Sequence, residues 1–196
     1  DNAGTIQQTS GDLALQAVDI TSFNSPIVLE NRAGGTIRGL VRLQTDSATI
    51  NNAGLWANAG GTSSFGIAGG IVNQASGHIL VGGGAAAELT TWSGLASFEN
   101  AGLLDFRDGG VGDELGIASG YPGQEGRLAL DAELGASGAP ADFFSIGGSS
   151  GGTTLVTVKN IGGTGAPTGA GPGRGIAVIE ARGGSGAGHL ALAGGP

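Results

Sequence analysis

Apolar residues along the chain alternate over short segments, which is the pattern of β-strands rather than of helices. Val41-Arg42-Leu43 and Ile79-Leu80-Val81 are typical, because alternate side chains can face a core while the others face outward. An amphipathic helix needs an apolar stripe over roughly ten residues. The nearest candidate, residues 85–89, is too short. We therefore predict an all-β protein.

A short motif returns four times in the first half of the chain, and each copy centres on an asparagine. Its pattern is an apolar residue, one further residue, Asn, an Ala close behind it, and then a Gly and another apolar residue. The four motif asparagines, spaced by 21, 21 and 27 residues, are Asn31, Asn52, Asn73 and Asn100. Repeats of roughly 20–50 residues are typical of solenoids and propellers.

Short strands joined by Gly-rich corners into a repeating coil form a β-helix, in which rungs stack at about 4.8 Å. We therefore predict a right-handed parallel β-helix (solenoid) of about seven to nine rungs with a C-terminal hairpin-like cap. A β-sandwich is the alternative fold. In a β-helix the motif asparagines are expected to occupy equivalent corners, where stacked amides can bond from rung to rung.

The small residues of the motif suggest how such a corner is built. Asn tolerates the left-handed backbone conformation, and we expect the glycine behind it to supply a positive φ. The motif alanines are expected to pack the corner closely; they are Ala33, Ala53, Ala75 and Ala101.

Composition and charge narrow the range of functions. Cys is absent, which excludes disulfides and thiolate metal sites. Sixteen acidic residues outnumber eight basic ones, so the formal net charge is −8. Such a chain lacks the clustered cations that bind nucleic acid or an anionic membrane surface. We therefore expect no nucleic-acid partner.

The last third of the chain carries five motifs in a fixed order. They are Leu128-x-Leu130-Asp131, Asp142-x-Phe144-x-Ile146-x-Gly148, Gly152-Thr153-Thr154-x-x-x-Val158-x-Asn160, Gly162-Gly163-x-Gly165-Ala166-x-Thr168 and Gly175-Ile176-x-Val178-Ile179-Glu180. This order resembles the C-terminal end of bacterial autotransporter (type V secretion) passenger domains, the pertactin-like autochaperone region. The departures are Phe144 in place of Leu and an additional stretch at residues 171–174.

The resemblance implies three parts and a function. Residues 1–125 would be β-helix rungs of the passenger stem, residues 126–182 the autochaperone-like cap, and residues 183–196 a linker toward a membrane β-barrel that these 196 residues do not contain. The cap would fold first, template the upstream rungs and support secretion of a surface adhesin or virulence factor. The implied partner is the protein's own barrel, and the implied location is the Gram-negative cell surface or outer membrane, with or without release.

Two other functions are compatible with a β-helix, since a fold by itself does not define an activity. The rod can be a free-standing adhesin or self-association module that binds host or sister cells. It can also be a carbohydrate-active enzyme, in which Trp56, Trp92 or Tyr121 would stack on sugars. We expect these three aromatic residues to be packing residues instead.

Candidate catalytic and metal-binding residues are few. Residues 148–152 satisfy Gly-x-Ser-x-Gly, but a strand follows where a nucleophile elbow needs a helix. His78 and His189 are far apart and belong to no zinc motif. We therefore expect no catalytic residue, no cofactor, no metal ligand and no enzymatic activity.

One acidic stretch is denser than the rest of the chain and contains Asp105, Asp108, Asp113 and Glu114. The glycines between them resemble one copy of a calcium-binding nonapeptide, a site that needs several tandem copies. We therefore interpret the stretch as a solvent-exposed loop rather than a weak Ca²⁺ site.

The β-rich segments at residues 154–158 and 176–179 suggest where the chain is most stable. Their branched apolar side chains are expected to build a compact core with Leu128 and Leu130. We therefore expect stability to be highest between residues 126 and 182.

Overall fold

A computed structural model describes residues 1–171 and 173–193, and its regular elements are β-strands. In chain order, the strands of this described part are β1 (Thr5–Gln7), β2 (Gln16–Thr21), β3 (Ile27–Asn31), β4 (Thr36–Arg38), β5 (Leu40–Gln44), β6 (Ala48–Asn52), β7 (Leu55–Asn58), β8 (Gly61–Asn73), β9 (His78–Val81), β10 (Leu89–Asn100), β11 (Leu103–Asp105), β12 (Glu114–Ile117), β13 (Tyr121–Ala132), β14 (Phe143–Ile146), β15 (Ser150–Asn160), β16 (Ile179–Ala181) and β17 (Leu190–Leu192). No helix within the described ranges is long and apolar enough to cross a membrane.

The strands pair in parallel along three faces of a coil. The first face stacks β1, β4, β7, β9, β11, the second half of β13, the second half of β15, and β17. The second face stacks β2, β5, the first halves of β8 and β10, β12, β14 and β16. The third face stacks β3, β6, the second halves of β8 and β10, and the first halves of β13 and β15. The predicted parallel β-helix is confirmed.

Long strands turn the corners of the coil without ending. Gly66 in β8 and Gly94 in β10 both have positive φ, and a Cβ on Gly94 would collide with the Gly66 carbonyl. The pairing register of these two strands shifts next to Gly94. Positive φ is open to glycine at little steric cost, so the backbone can bend here and start the next face.

The core fills the inside of the coil with side chains stacked rung on rung. On the first face, one column in register consists of Ile37, Trp56, Ile79, Leu104, Leu128 and Val156, each at most 4% exposed. Leu192 continues this column but is 62% exposed, because β17 is the last described strand on that face. Inward positions are therefore well buried only where a rung follows.

Aromatic rings form the densest part of this core. Trp56 stacks on Trp92 with ring centroids 5.1 Å apart and an interplanar angle of 12°. Phe98 packs edge-on against Trp92, and Tyr121 and Phe144 continue the cluster at centroid distances of 5.3 Å and 6.5 Å from Phe98. All five rings are fully buried. The best-packed region therefore begins well upstream of residue 126.

The C-terminal rungs are packed less tightly than the sequence suggests. Val156 is buried, but Leu155 points outward and is 43% exposed, since neighbouring strand residues face opposite sides. Ile176, Val178 and Ile179 are half-buried. The expected compact core of residues 126–182 is thus found only in its first part, up to Val156.

The hairpin-like element of the predicted cap is a short turn over residues 132–141. Ala132 and Ala141 form an antiparallel bridge, and Glu133 donates its N–H to the carbonyl of Pro140. The later strands β14 to β17 return to parallel stacking. Apart from this one antiparallel turn, the cap is therefore a continuation of the parallel coil.

Candidate functional site

The residues of the candidate catalytic motifs do not come together. His78 lies on β9 with its Nε2 atom 3.3 Å from Asp105 Oδ2, while His189 contacts the backbone carbonyl of Ser150. Ser150 begins β15, so a strand follows the Gly-x-Ser-x-Gly sequence. Within residues 1–171 and 173–193, no group of three or more metal-ligating side chains is close enough to hold an ion.

The three aromatic residues considered for sugar stacking are inside the core. Trp56, Trp92 and Tyr121 are 0% exposed, so the expectation that they pack the interior is confirmed. Both tryptophans also donate hydrogen bonds from Nε1, Trp56 to the Gly39 carbonyl at 3.0 Å and Trp92 to Asn58 Oδ1 at 3.2 Å. Their polar ring atoms are therefore satisfied within the coil.

The four motif asparagines are stacked directly on one another at one corner of the coil. Each Nδ2 donates to the Oδ1 of the next rung, at 2.7 Å from Asn31 to Asn52, 2.9 Å from Asn52 to Asn73, and 2.8 Å from Asn73 to Asn100. All four are at most 1% exposed. The prediction of equivalent corners and rung-to-rung amide bonds is confirmed, and we call this stack the amide ladder.

The amide ladder extends by one member at each end. Asn2 donates to Asn31 Oδ1 at 2.8 Å, a member that the sequence analysis missed although Asn2-Ala3-Gly4 repeats the motif's Asn-Ala-Gly. At the other end Asn100 donates to the Tyr121 hydroxyl, which also receives a hydrogen bond from the Thr154 hydroxyl. The ladder therefore runs in one direction, with every donor pointing toward the C-terminus.

In most motif copies glycine serves this corner through the absence of a side chain rather than through a positive φ. A Cβ on Gly102 would collide with the carbonyl oxygens of Gly77 and Gln74 and lie 2.7 Å from Asn73 Nδ2. Gly54 and Gly77 are equally confined, and none of the three has a positive φ. The expected positive φ is therefore found in the first copy, at Gly34 (φ 85°), and is wrong for the other three copies and for the motif asparagines themselves. The asparagines end extended strands, and the tight fit is between neighbouring rungs.

The motif alanines do not pack this corner. Ala33 and Ala75 are exposed, and Ala53 and Ala101 are half-buried. The expectation that they keep the corner closely packed is wrong, because the turn directs their side chains outward.

A second polar stack lies at another corner and is made of carboxylates. The strand register places Glu88, Asp113 and Asp142 on consecutive rungs, just before β10, β12 and β14. Asp113 is 1% exposed and Asp142 is 0% exposed. Asp108 and Asp131 lie beside this carboxylate stack. The acidic stretch is therefore not the solvent-exposed loop that the sequence predicted, since the coil folds it inward.

Backbone N–H groups hold most of these carboxylate oxygens. Asp142 accepts hydrogen bonds from the N–H groups of Gly112, Asp113 and Asp131, and Asp113 Oδ1 accepts one from Glu88. Burial raises the pKa of Asp142 to about 6, against the opposing effect of its N–H donors. At this corner, buried carboxylates are therefore held by backbone N–H groups, while their burial favours the protonated form.

Asp105 shows the opposite electrostatic behaviour, because it has a cationic neighbour, Arg107. Arg107 approaches both of its oxygens, at 2.8 Å and 3.0 Å, and His78 lies beside it. Burial by itself would raise the pKa of Asp105, but the approach of His78 and the hydrogen bonds from Arg107 outweigh it and hold that pKa well below its usual range. This group is a partly buried ion pair on the outer surface of the coil.

Two polar residues of the C-terminal motifs, Asp131 and Asn160, bind backbone groups. Asp131 accepts from the N–H of Gly109 across to the preceding rung. Asn160 closes the turn after β15 by accepting from Gly163 and Leu134 and donating to the Gly163 carbonyl. These residues hold the turns of the coil.

Comparison with known proteins identifies the family of this coil. The family described as Autochaperone Domain Type 1 matches residues 87–194, more than half of the chain. The chain belongs to this family, and it therefore represents the autochaperone region of an autotransporter passenger, a class of secreted or outer-membrane-associated proteins of Gram-negative bacteria. The family is not a catalytic one.

Two curated proteins of Escherichia coli strain K12 are similar to parts of the chain. The uncharacterized protein YdeU is 39% identical over 89 residues, which cover 45% of this chain and 18% of YdeU. The uncharacterized protein YuaQ is 37% identical over 82 residues, which cover 41% of this chain and 6% of YuaQ. The match therefore spans less than a fifth of either relative. No solved structure matches.

Proposed function

We propose that the C-terminal rungs of this chain fold first and template the addition of each rung upstream, and that this templating supports secretion of a surface adhesin or virulence factor. The protein's own membrane β-barrel is the partner that such a role requires. The observation that carries the proposal is the buried aromatic cluster inside the region that matches the autochaperone family.

A formed C-terminal rung presents a hydrogen-bond acceptor and an open strand edge to the rung upstream of it. Asn100 lies inside the region that matches the autochaperone family, and its Oδ1 accepts from Asn73 in the rung upstream. A formed C-terminal rung thus offers a fixed acceptor and an open strand edge before the upstream rung arrives. β8 pairs along β10 from Gly61↔Thr90 to Asn73↔Asn100, so the incoming rung finds its register along most of its length.

The same region contains enough buried surface to start folding. Trp92, Phe98, Tyr121 and Phe144 all lie within residues 87–194 and pack against each other. Rungs of a solenoid contact only their neighbours, so folding can begin in one place and spread. The aromatic cluster is therefore a suitable nucleus, and the rungs before it depend on its edge.

Pulse-labelling hydrogen exchange during refolding of the full chain tests the order of folding. We expect amides of residues 90–156 to gain protection before those of residues 27–58. Asn100→Leu should delay protection of the upstream rungs, because it removes their acceptor. Asn31→Leu is the matched control at the far end of the ladder, and it should leave the folding of residues 90–156 unchanged.

Two outcomes would contradict templating from the C-terminus. One is earlier protection of residues 27–58, and the other is an equal delay from Asn100→Leu and Asn31→Leu. In the barrel-linked protein we further expect Asn100→Leu to reduce surface display, measured by protease accessibility on intact cells, much more than Asn31→Leu does.

An additional adhesive role is favoured by one exposed apolar surface. Phe23 is 86% exposed and Ile67 is 80% exposed, and both border a concavity of about 390 Å³ on the side of the rod. Large apolar side chains in this arrangement are typical of contact surfaces. The double variant Phe23→Ser/Ile67→Ser should reduce binding of cells that display the rod to host or sister cells while leaving display unchanged. Unchanged binding would exclude this surface.

A further inference from the structure

The carboxylate stack contains an oxygen atom that the fold leaves without a partner. Asp113 Oδ1 accepts from the N–H of Glu88, but Asp113 Oδ2 has no hydrogen-bond partner although the residue is 1% exposed. A buried carboxylate oxygen without a donor is costly. The groups around this oxygen are acidic, so a hydrogen-bond donor for it is needed from another source.

Asp108 is positioned to share that partner. A Cβ added to Gly82 would collide with both Asp113 Oδ2 and Asp108 Oδ2, so the two oxygens converge over the same glycine. Asp108 Oδ2 already accepts from the N–H of Gly84, and its Oδ1 accepts from that of Gly110. Among the described residues, no backbone N–H donates to Asp113 Oδ2 on the side where the two carboxyl groups meet, and neither group can donate unless it is protonated.

We propose that Asp113 and Asp108 share one proton in the folded protein near neutral pH, and that this proton makes the stability of the rungs around the carboxylate stack respond to pH. A protonated carboxyl donates an O–H hydrogen bond to the other carboxylate, which satisfies the orphaned oxygen and removes one negative charge. Two oxygen atoms suffice for a proton. A metal ion would require more ligands than the described residues bring together at this corner.

The charges that surround Asp113 favour retention of the proton. From the adjoining turns and strands, the ionisable groups facing this corner are Glu88, Asp12, Asp108, Asp131, Asp142 and Arg107. Arg107 is the single cation in that set, and it binds Asp105. Burial, followed by the charge of Asp108, raises the pKa of Asp113 to about 7. Burial and the same Asp108 raise the pKa of Glu88.

The direction of the pH effect follows from these shifts. The unfolded chain releases the Asp113 proton near the ordinary value of 3.8, whereas the folded protein keeps it up to about pH 7. Between these two values the folded state binds more protons than the unfolded state, so stability decreases as pH rises. Above that window the carboxylates repel each other without compensation.

Urea denaturation of the full chain at pH 5 and at pH 8 tests the proposal, with Asp113→Asn as the central variant. The asparagine keeps an acceptor for Glu88 and places a permanent N–H donor toward Asp108. We expect the wild-type midpoint to fall between pH 5 and pH 8, and this fall to shrink by about half or more in Asp113→Asn, which should exceed the wild type in stability at pH 8. Glu114→Gln, the neighbouring half-exposed carboxylate, is the control and should keep the wild-type pH dependence.

Carbon-13 NMR of the Asp113 carboxyl provides a second measurement that does not depend on variant stability. A midpoint of titration more than about one unit above the ordinary aspartate value supports the shared proton. A midpoint near 3.8, or an equal pH dependence in wild type and Asp113→Asn, would overturn it. Stabilisation by millimolar Ca²⁺ at pH 8 that disappears in Asp113→Asn would also overturn it, since it would show a cation in place of the proton.

Discussion

The amide ladder and the carboxylate stack each place polar side chains on consecutive rungs at one corner, but they differ in how their hydrogen bonds are completed. Each amide both donates and accepts, so Asn31, Asn52, Asn73 and Asn100 satisfy one another from rung to rung. Carboxylates only accept, so Asp113 and Asp142 must draw on backbone N–H groups and still leave an oxygen unpartnered. Stacking by itself therefore does not determine whether the polar groups at a corner satisfy each other's hydrogen bonds.

The difference teaches that one solenoid can combine a corner that is insensitive to pH with one that responds to it. Amides do not titrate, so the ladder contributes the same stability across the pH range in which the carboxylate stack gains and loses a proton. Both corners extend into the region that matches the autochaperone family, since Asn100 and Asp113 lie within it.

The largest effect is expected from breaking the ladder in its middle. Asn73→Leu removes the acceptor of Asn52 and the donor to Asn100 and to the Leu103 carbonyl. Because buried polar groups lose their partners, the free energy of unfolding should fall by about 2–4 kcal/mol. Urea denaturation should give the same loss at pH 5 and pH 8. The control is Asn51→Ala at a neighbouring, half-buried position, and a comparable loss there would show that the ladder has no special role.

A smaller effect is expected from crowding the ladder without removing a hydrogen bond. Gly102→Ala would press a methyl group against the carbonyl of Gly77, and overpacking of this kind costs about 1–3 kcal/mol. Gly116→Ala is the matched control, since its added Cβ meets no atom within 4 Å and its φ is not positive. Thermal unfolding should separate the two variants. Equal melting temperatures would mean that neighbouring rungs can move apart at this corner.

Asp105 sharpens the comparison because it is a carboxylate paired with a cation, Arg107. Asp105→Asn should lower the free energy of unfolding by about 1–2 kcal/mol at pH 7, because the hydrogen bonds from Arg107 depend on the charge of Asp105. Its folded pKa lies below the unfolded value of 3.8, so this contribution is present above pH 3.8 and is lost as pH falls below it. Wild type and variant should therefore converge in urea denaturation toward pH 2. A difference that persists there would indicate a packing effect.

The sequence was sufficient where one residue type recurs at nearly constant spacing. Asn31, Asn52 and Asn73 return every 21 residues, and a constant spacing in a chain of short strands can be satisfied by stacking. The order of the C-terminal motifs likewise indicates the autochaperone family by itself. Repeat spacing and motif order are properties of the sequence, so they can be recognised without knowledge of the packing.

Only the tertiary structure decided what each corner does. Glu88, Asp113 and Asp142 carry no constant spacing, and they meet because turns of different length end in strands of matching register. The roles of Gly54, Gly77 and Gly102 were likewise hidden, because the atoms that exclude a side chain belong to the rung before. Burial, donor count and charge at a position depend on neighbours some 20 to 30 residues away, as in the bonds from Asn31 to Asn52 and from Gly112 to Asp142. Local pattern does not contain those neighbours.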